Sequence, residues 1–180
     1  MKNSQKLINI VTASLLAALC CVATFIKLPM VTPTGGYVNL GDTVIVMTAF
    51  MLSPVYAALA AGIGSMLADI LMGYAQYAPG TFAIKALMAL LAGLFLFAVK
   101  KTAEKNKILT FIFIILSAVC AEIIMVGGYF LYEAYLLGYG AAGAFGSVLP
   151  NVFQGIAGII GGTILCTIID RTKIKNKLNP

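Results

Sequence analysis

The stretch at residues 43–72, TVIVMTAFMLSPVYAALAAGIGSMLADILM, decides how many times the chain crosses a membrane. It fits either one long helix kinked at Pro54 or two helices that meet between Ser53 and Pro54. Proline suits the first turn of a helix and disfavours a helical conformation of the residue before it. We therefore predict two helices, at 43–52 and 54–72, although the first is much shorter than the ~20 residues that usually span a bilayer.

The positions of the basic residues favour the same division. Short cytoplasmic loops of membrane proteins carry an excess of lysine and arginine. With one helix at 43–72 the internal basic loop would lie across the membrane from the N-terminus, whereas with two helices all basic clusters lie on the cytoplasmic side. These clusters are Lys2 and Lys6, then Lys100, Lys101, Lys105 and Lys107, and finally Arg171, Lys173, Lys175 and Lys177.

The composition indicates a small polytopic membrane protein. Of the 180 residues, 61% are hydrophobic and 10% are charged, and the mean hydropathy is +1.01, which excludes an ordinary soluble domain. We predict an all-α integral membrane protein with one domain over residues 1–180, a six-transmembrane-helix bundle with a short second helix and both termini in the cytoplasm.

The apolar run at 7–26 is long for a signal peptide and no Ala-x-Ala site follows it, so we interpret it as the first helix. The predicted helices lie at 7–26, 43–52, 54–72, 80–99, 108–132 and 148–169.

Sequence motifs for catalysis are absent. Histidine does not occur, which excludes histidine catalysis and histidine metal sites, and there is no Gly-x-x-x-x-Gly-Lys-Ser/Thr motif for nucleotide phosphates. The cysteines lie in apolar runs without the spacing of metal ligands. We therefore expect a binding or transport protein rather than an enzyme, with no cofactor, no bound metal and no nucleic-acid partner.

A polar, glycine-rich loop, PTGGYVNLGD at residues 33–42, stands out in this apolar chain. Its glycines allow a ligand to approach the backbone closely. Tyr37 offers an aromatic ring, and Asn39 and Asp42 offer polar side chains. The loop is either a plain connection between two helices or part of a binding site, and these three residues are our candidates for substrate binding.

Polar side chains also occur inside the apolar segments. Each charge there needs a partner, a cavity or a function, because burial in a bilayer costs free energy. Counting along the predicted helices puts all of them in the outer half of the membrane. Asp69 and Lys85 form either an internal ion pair or part of a site, and the amides provide either interhelical hydrogen bonds or ligand contacts. The residues are Asp69, Lys85, Glu122, Asn151 and Gln154.

Helical spacing adds two residues to this group. Tyr129 and Glu133 lie seven and eleven positions after Glu122, so that one face of the fifth helix carries all three. Tyrosines at this depth also fit an interfacial belt. We predict an outer cavity whose candidate substrate-binding residues are Lys85, Glu122, Tyr129, Glu133, Asn151 and Gln154.

A stripe of small residues runs along the first helix. Ala13, Ala17 and Cys21 are four residues apart, and such a stripe lets another helix come close. It serves either the packing of the bundle or contact with a separate membrane protein, and these three are our candidates for partner binding.

Taken together, these residues resemble the substrate-binding (S) component of an energy-coupling factor (ECF) vitamin transporter. The similarity lies in ASLLA at 13–17, GYVNLGD at 36–42, PGTFAIK at 79–85 and PNVFQG at 150–155. The resemblance implies an outward-facing vitamin site in a six-helix bundle, with the first external loop as a lid. It also implies that Ala13 and Ala17 pack on a transmembrane coupling protein (T component), which binds two ATPase subunits, in the lipid bilayer of a bacterial cell membrane.

Within this family, the chain is most similar to members for vitamin B6 vitamers or hydroxymethylpyrimidine, and next to riboflavin members. A small aromatic ring can stack on a tyrosine, donate to Glu122 and accept from Asn151 or Gln154, and the absence of tryptophan argues against a large flavin stack. Two other functions stay open. One is a stand-alone secondary transporter in which Asp69, Lys85 and Glu122 relay protons, and the other is a structural membrane subunit without a ligand.

Overall fold

The computed structural model describes residues 2–29, 37–103 and 106–172. These residues form six α-helices, one pair of short antiparallel strands and one π-helical turn. Lys27 lies opposite Asn39 in the strand pair. In chain order the elements are α1 (Lys2–Phe25), β1 (Lys27–Pro29), β2 (Tyr37–Asn39), α2 (Gly41–Met51), α3 (Pro54–Leu71), α4 (Ala78–Ala103), α5 (Lys107–Leu131), the π-helical turn (Tyr132–Leu136) and α6 (Gly140–Thr172).

The predicted all-α bundle of six helices with a short second helix is confirmed. Five helices, α1 and α3 to α6, are long and apolar enough to cross a membrane, whereas α2 has 11 residues. Large apolar side chains cover the outside of the bundle, and Leu15, Phe97 and Ile123 are 67%, 71% and 66% exposed. Such a surface suits contact with lipid rather than water.

The predicted break between the second and third helices is also present. Helix α2 ends at Met51, and Leu52 and Ser53 have extended backbones with ψ angles of 164° and 152°. Pro54 then begins α3. The residue before a proline avoids the helical region and the proline ring needs no amide hydrogen in the first turn, so this sequence stops one helix and starts the next.

Helix α2 is short because it lies inside the bundle. Its residues Ile45, Val46 and Thr48 are almost completely buried, and it packs against α1, α3, α4, α5 and α6. It begins at Gly41, two residues before the predicted start. Backbone that does not span the bilayer is tolerated at membrane depth when surrounding protein covers it.

The prediction for the last helix was wrong at its first residue. Helix α6 begins at Gly140 rather than residue 148, and Pro150 lies inside it rather than in its first turn. Glycine and alanine give residues 140–147 a weak hydropathy signal, but Ala144 and Ser147 are buried and continue the helical stripe that leads to Gln154. The connection at 133–147 between the fifth and sixth predicted helices is therefore mostly helical.

Small residues set the distance between α1 and α3. Gly64 of α3 lies so close to α1 that an added Cβ atom would overlap the carbonyl oxygen of Ala17 and lie 3.0 Å from the Cβ atom of Cys20. Its neighbours Ala61, Ser65 and Ala68 are buried as well. The small residues of the third helix therefore pack the bundle itself, as such stripes do in other membrane proteins.

Replacing Gly64 with alanine tests this close approach. We expect Gly64→Ala to lower the free energy of unfolding by about 1–3 kcal/mol, because the new methyl group meets backbone that cannot rotate away. The matched control is Gly127→Ala in α5, where an added Cβ atom has nothing within 4 Å and where alanine favours a helix. Melting temperatures of the purified variants in detergent compare the two, and equal melting temperatures would contradict the packing described here.

Candidate functional site

A fully buried carboxylate connects the elements at the end of the bundle that carries the strand pair. Asp42 is the second residue of α2 and is 0% exposed. Its Oδ1 atom forms an ion pair with the ammonium group of Lys85 in α4, and its Oδ2 atom accepts a hydrogen bond of 2.6 Å from Nε2 of Gln154 in α6. A carboxylate at a helix N-terminus is also favoured by the helix dipole.

Gln154 extends this connection to the strands. Its Oε1 atom accepts hydrogen bonds from the backbone nitrogen of Asn39 at 3.1 Å and from Nδ2 of Asn39 at 2.8 Å. Oδ1 of Asn39 in turn accepts a bond of 2.7 Å from the backbone nitrogen of Gly41. Because an amide carries its acceptor and donors on different atoms, two donors on Oε1 leave Nε2 to face Asp42. We call Asn39, Asp42, Lys85 and Gln154 the Asp42 network.

Lys85 does not form the ion pair that one interpretation of the sequence predicts. Its partner is Asp42 of α2 and not Asp69 of α3, although Asp69 is also buried. The Lys85 ammonium also lies 5.4 Å from the centroid of the Tyr129 ring, within the range of a cation–π contact. The Tyr129 hydroxyl lies 2.9 Å from Oγ1 of Thr81, a residue that the sequence did not single out.

Glu122 of α5 is buried beside the Asp42 network. The residue is 4% exposed, and neither of its carboxylate oxygens has a hydrogen-bond partner among the residues described. An added Cβ atom on Gly158 of α6 would overlap Oε1 of Glu122 and lie 2.9 Å from Cβ of Asp42. The absence of a side chain at Gly158 thus allows these two carboxylates to share one side of α6.

Glu133 belongs to a separate group closer to the end of α5. It lies in the π-helical turn, where its Oε1 atom accepts a hydrogen bond of 3.1 Å from the Tyr77 hydroxyl. Burial, together with the nearby carboxylate of Glu133, raises the pKa of the Tyr77 hydroxyl. Tyr132 donates a bond of 2.8 Å to the backbone oxygen of Gln76. These contacts join the turn between α3 and α4 to the end of α5.

The other candidates stand apart from this network. Asn151 is half-buried one turn before Gln154 in α6, and no hydrogen bond joins it to the Asp42 network within the described part of the chain. Tyr37 lies in β2 opposite Pro29, and its side chain lies outside the described residues. The sequence predicts that Glu122, Tyr129 and Glu133 share one face of the fifth helix. In the structure each of the three has different neighbours.

The small stripe of α1 is only partly open. Ala13, Ala17 and Cys21 are all half-buried, and Ala13 and Ala17 pack against the core of the bundle. As for metal ions, residues 2–29, 37–103 and 106–172 contain no group of three or more cysteine, aspartate or glutamate side chains placed to hold one.

Removing one partner of the buried ion pair tests how the site is held. We expect Asp42→Ala to cost about 3–5 kcal/mol of stability, because it leaves the Lys85 ammonium buried without a counter-charge. The double variant Asp42→Ala/Lys85→Met removes both charges and should recover part of that loss. Melting temperatures of both variants and of Lys85→Met form a double-mutant cycle. Strictly additive losses would show that the two side chains do not interact.

Comparison with known proteins identifies relatives along almost the whole chain. A model of the family described as "ECF-type riboflavin transporter, S component" matches residues 4–171. An uncharacterized protein of Pyrococcus woesei is 36% identical over 127 residues, which cover 71% of this chain and 78% of that protein. The thiamine precursor transporter HmpT of Lactococcus lactis subsp. cremoris (strain MG1363) is 28% identical over 148 residues, which cover 82% of this chain and 78% of the relative.

The fold is shared with solved structures. One is the S-component for biotin from an ECF-type ABC transporter, with a TM-score of 0.69 and 20% identity over 97% of this chain and 95% of that chain. Another is the S component of a bacterial ECF transporter, with a TM-score of 0.65 and 24% identity over 100% of both chains. The resemblance inferred from the sequence is thereby confirmed. The chain belongs to the ECF-type riboflavin transporter S component family, and it is a multi-pass membrane protein that acts as the S component for a vitamin or vitamin precursor, a transport subunit rather than an enzyme.

Proposed function

We propose that Glu122 and the Asp42 network bind a small aromatic vitamin or precursor, either a vitamin B6 vitamer or hydroxymethylpyrimidine. The observation that carries this proposal is the state of Glu122, which is 4% exposed while both its oxygens lack a hydrogen-bond partner among the described residues. Buried polar groups are nearly always hydrogen-bonded. A ligand with N–H or O–H donors would supply the missing bonds.

The neighbouring side chains suit such a ligand. The Tyr129 ring next to Lys85 offers an aromatic face on which a ring can stack. Asn151 has an amide that can both donate and accept, and Lys85 has ammonium protons beyond the one it directs at Asp42. We also keep Tyr37 and Glu133 as candidate contacts, from β2 and from the π-helical turn.

Two comparisons bear on which vitamin is bound. HmpT of Lactococcus lactis is described as a thiamine precursor transporter, and this supports a pyrimidine such as hydroxymethylpyrimidine. The family model carries riboflavin in its description, which makes riboflavin the second candidate. Lys85 forms its ion pair with Asp42 inside the bundle. This pairing gives no support to a proton relay through Asp69.

We further propose that the chain works in a bacterial plasma membrane, with both termini in the cytoplasm, together with a T component and two ATPase subunits. S components of ECF transporters work with such partners. The proposed contact is the stripe of Ala13, Ala17 and Cys21 on α1. Because these residues are half-buried, the partner would cover the part of α1 that the bundle leaves open.

The ligand itself is the first test of the proposal. We expect mass spectrometry of small molecules released from the detergent-purified protein to find a pyridine or pyrimidine vitamer in about stoichiometric amount. Titration of the ligand-free protein with hydroxymethylpyrimidine, vitamin B6 vitamers and riboflavin then ranks the candidates. A protein that releases no vitamin and binds none in titration would contradict a binding function for this site.

The coupling surface is tested by tryptophan substitution. We expect Ala13→Trp to abolish vitamin uptake by the complete transporter while leaving vitamin binding unchanged, because the large ring keeps a partner helix away. Ala17→Trp should do the same, at some cost in stability, since Ala17 lies against Gly64. The matched control is Leu15→Trp, on another face of α1 where the side chain is 67% exposed, and it should keep both activities. Joint loss of binding and uptake in Ala13→Trp would mean that the stripe packs the bundle only.

A further inference from the structure

We propose that Glu122 recognises its ligand through two adjacent N–H donors, the arrangement along one edge of an aminopyrimidine whose ring nitrogen carries a proton. This inference rests on the proposed function and narrows it from three vitamin classes to one. The reason is that some hydrogen-bond acceptors in the buried site already have partners within the protein, whereas the oxygens of Glu122 do not.

Both oxygens of Asp42 already have partners within the protein. One of its oxygens is taken by the Lys85 ammonium and the other by Nε2 of Gln154, and the residue is completely buried. Oε1 of Gln154 is likewise taken, by both nitrogens of Asn39. By contrast, the two oxygens of Glu122 have no hydrogen-bond partner in the part of the chain that the structure describes.

The geometry of a carboxylate then selects the kind of donor. Its two oxygens lie in one plane and match two parallel N–H bonds, as in the pairing of a carboxylate with a guanidinium group. An aminopyrimidine places its amine next to a ring nitrogen and so presents the same pair of donors once that nitrogen is protonated. The proton comes either with the pyrimidine or from the carboxylic acid form of Glu122, and in both cases one proton lies between the two groups.

The charges around Glu122 favour the same ligand. The charges of Lys85 and Asp42 compensate each other. Among Lys85, Asp42 and Glu122, an ionised Glu122 therefore leaves one negative charge without a counter-charge. A protonated pyrimidine supplies a positive charge at that point. A phosphate ester would instead add negative charge beside two buried carboxylates, which costs free energy at low dielectric constant.

The competing vitamins lack this edge. Pyridoxine has hydroxyl donors but no amine adjacent to its ring nitrogen. The pyrimidinedione edge of riboflavin has one N–H group between two carbonyl oxygens, and those oxygens would face the oxygens of Glu122. The carboxylate therefore discriminates among all three candidates by the pattern of donors and acceptors.

A pair of analogues tests the inference on the unmodified protein. The first is hydroxymethyl-aminopyrimidine, and the second is its oxo analogue, in which a ring carbonyl replaces the amine. We expect the amino compound to bind at least ~100-fold more tightly in calorimetric titration, because a site built to accept a hydrogen bond rejects an analogue without the donor. Equal affinities would overturn the inference.

The variant Glu122→Gln adds a change of specificity. A carboxamide has one acceptor and one donor, which complement the oxo analogue rather than the amino compound. We therefore expect Glu122→Gln to lose most of its affinity for the amino compound and to lose or reverse the preference between the two. The matched control is Asp170→Asn, the same chemical change on an exposed carboxylate near the end of α6, which should keep the preference of the unmodified protein.

The outcomes separate this inference from the proposed function. If Glu122→Gln weakens both analogues by the same factor, Glu122 supports the fold and the inference is wrong. If the unmodified protein binds only riboflavin or pyridoxine, the inference is also wrong while the vitamin-binding function stands. If no vitamin binds, the proposed function fails. The comparison of the two analogues on the unmodified protein decides the inference even if Glu122→Gln does not fold.

Discussion

The strand-pair end of this bundle depends on one carboxylate that has no access to water. Asp42 is completely buried at the start of a short helix, and a charge in that position must be compensated by the protein itself. Its partners are Lys85 of α4 and Gln154 of α6, and Gln154 in turn accepts a hydrogen bond from Asn39 of β2. Segments that lie far apart in the sequence are thereby joined through a single group, so that the strands and the helices around α2 share one set of interactions.

Much of the fold could be predicted because two physical rules agree on one stretch of chain. The conformational limits around Pro54 and the distribution of basic residues both favour two helices in residues 43–72. The central place of α2 could not be predicted, because a helix that is apolar on all sides has no periodicity that shows which side is covered. For the same reason Asp42 was interpreted as a loop residue, and the partner of Lys85 was sought within the membrane at Asp69. The start of α6 was missed because glycine and alanine give it a weak hydropathy signal.

Part of the site could be predicted from the free-energy cost of burying polar groups in a membrane. That rule identified Lys85, Glu122 and Gln154, but it could not show which of them bind one another, since that depends on the packing of α2, α4 and α6. Gly158 and Thr81 carry no such signal, because a glycine in a small-residue stripe and a threonine near a helix start are common. The fold is shared with an S-component for biotin at 20% identity, but a shared fold does not by itself determine which ligand a protein binds.

The length of α6 has a consequence for how the bundle sits in its membrane. With 33 residues the helix is about 50 Å long at 1.5 Å per residue, whereas the hydrocarbon layer is ~30 Å thick. Hydrophobic mismatch of this size is relieved by tilt or by extension into the headgroup region. The turns before Pro150 still present apolar surface, because Phe145 and Leu149 are 70% and 61% exposed. Apolar surface therefore follows α6 along most of its length, which favours tilt of this helix over extension into the headgroup region.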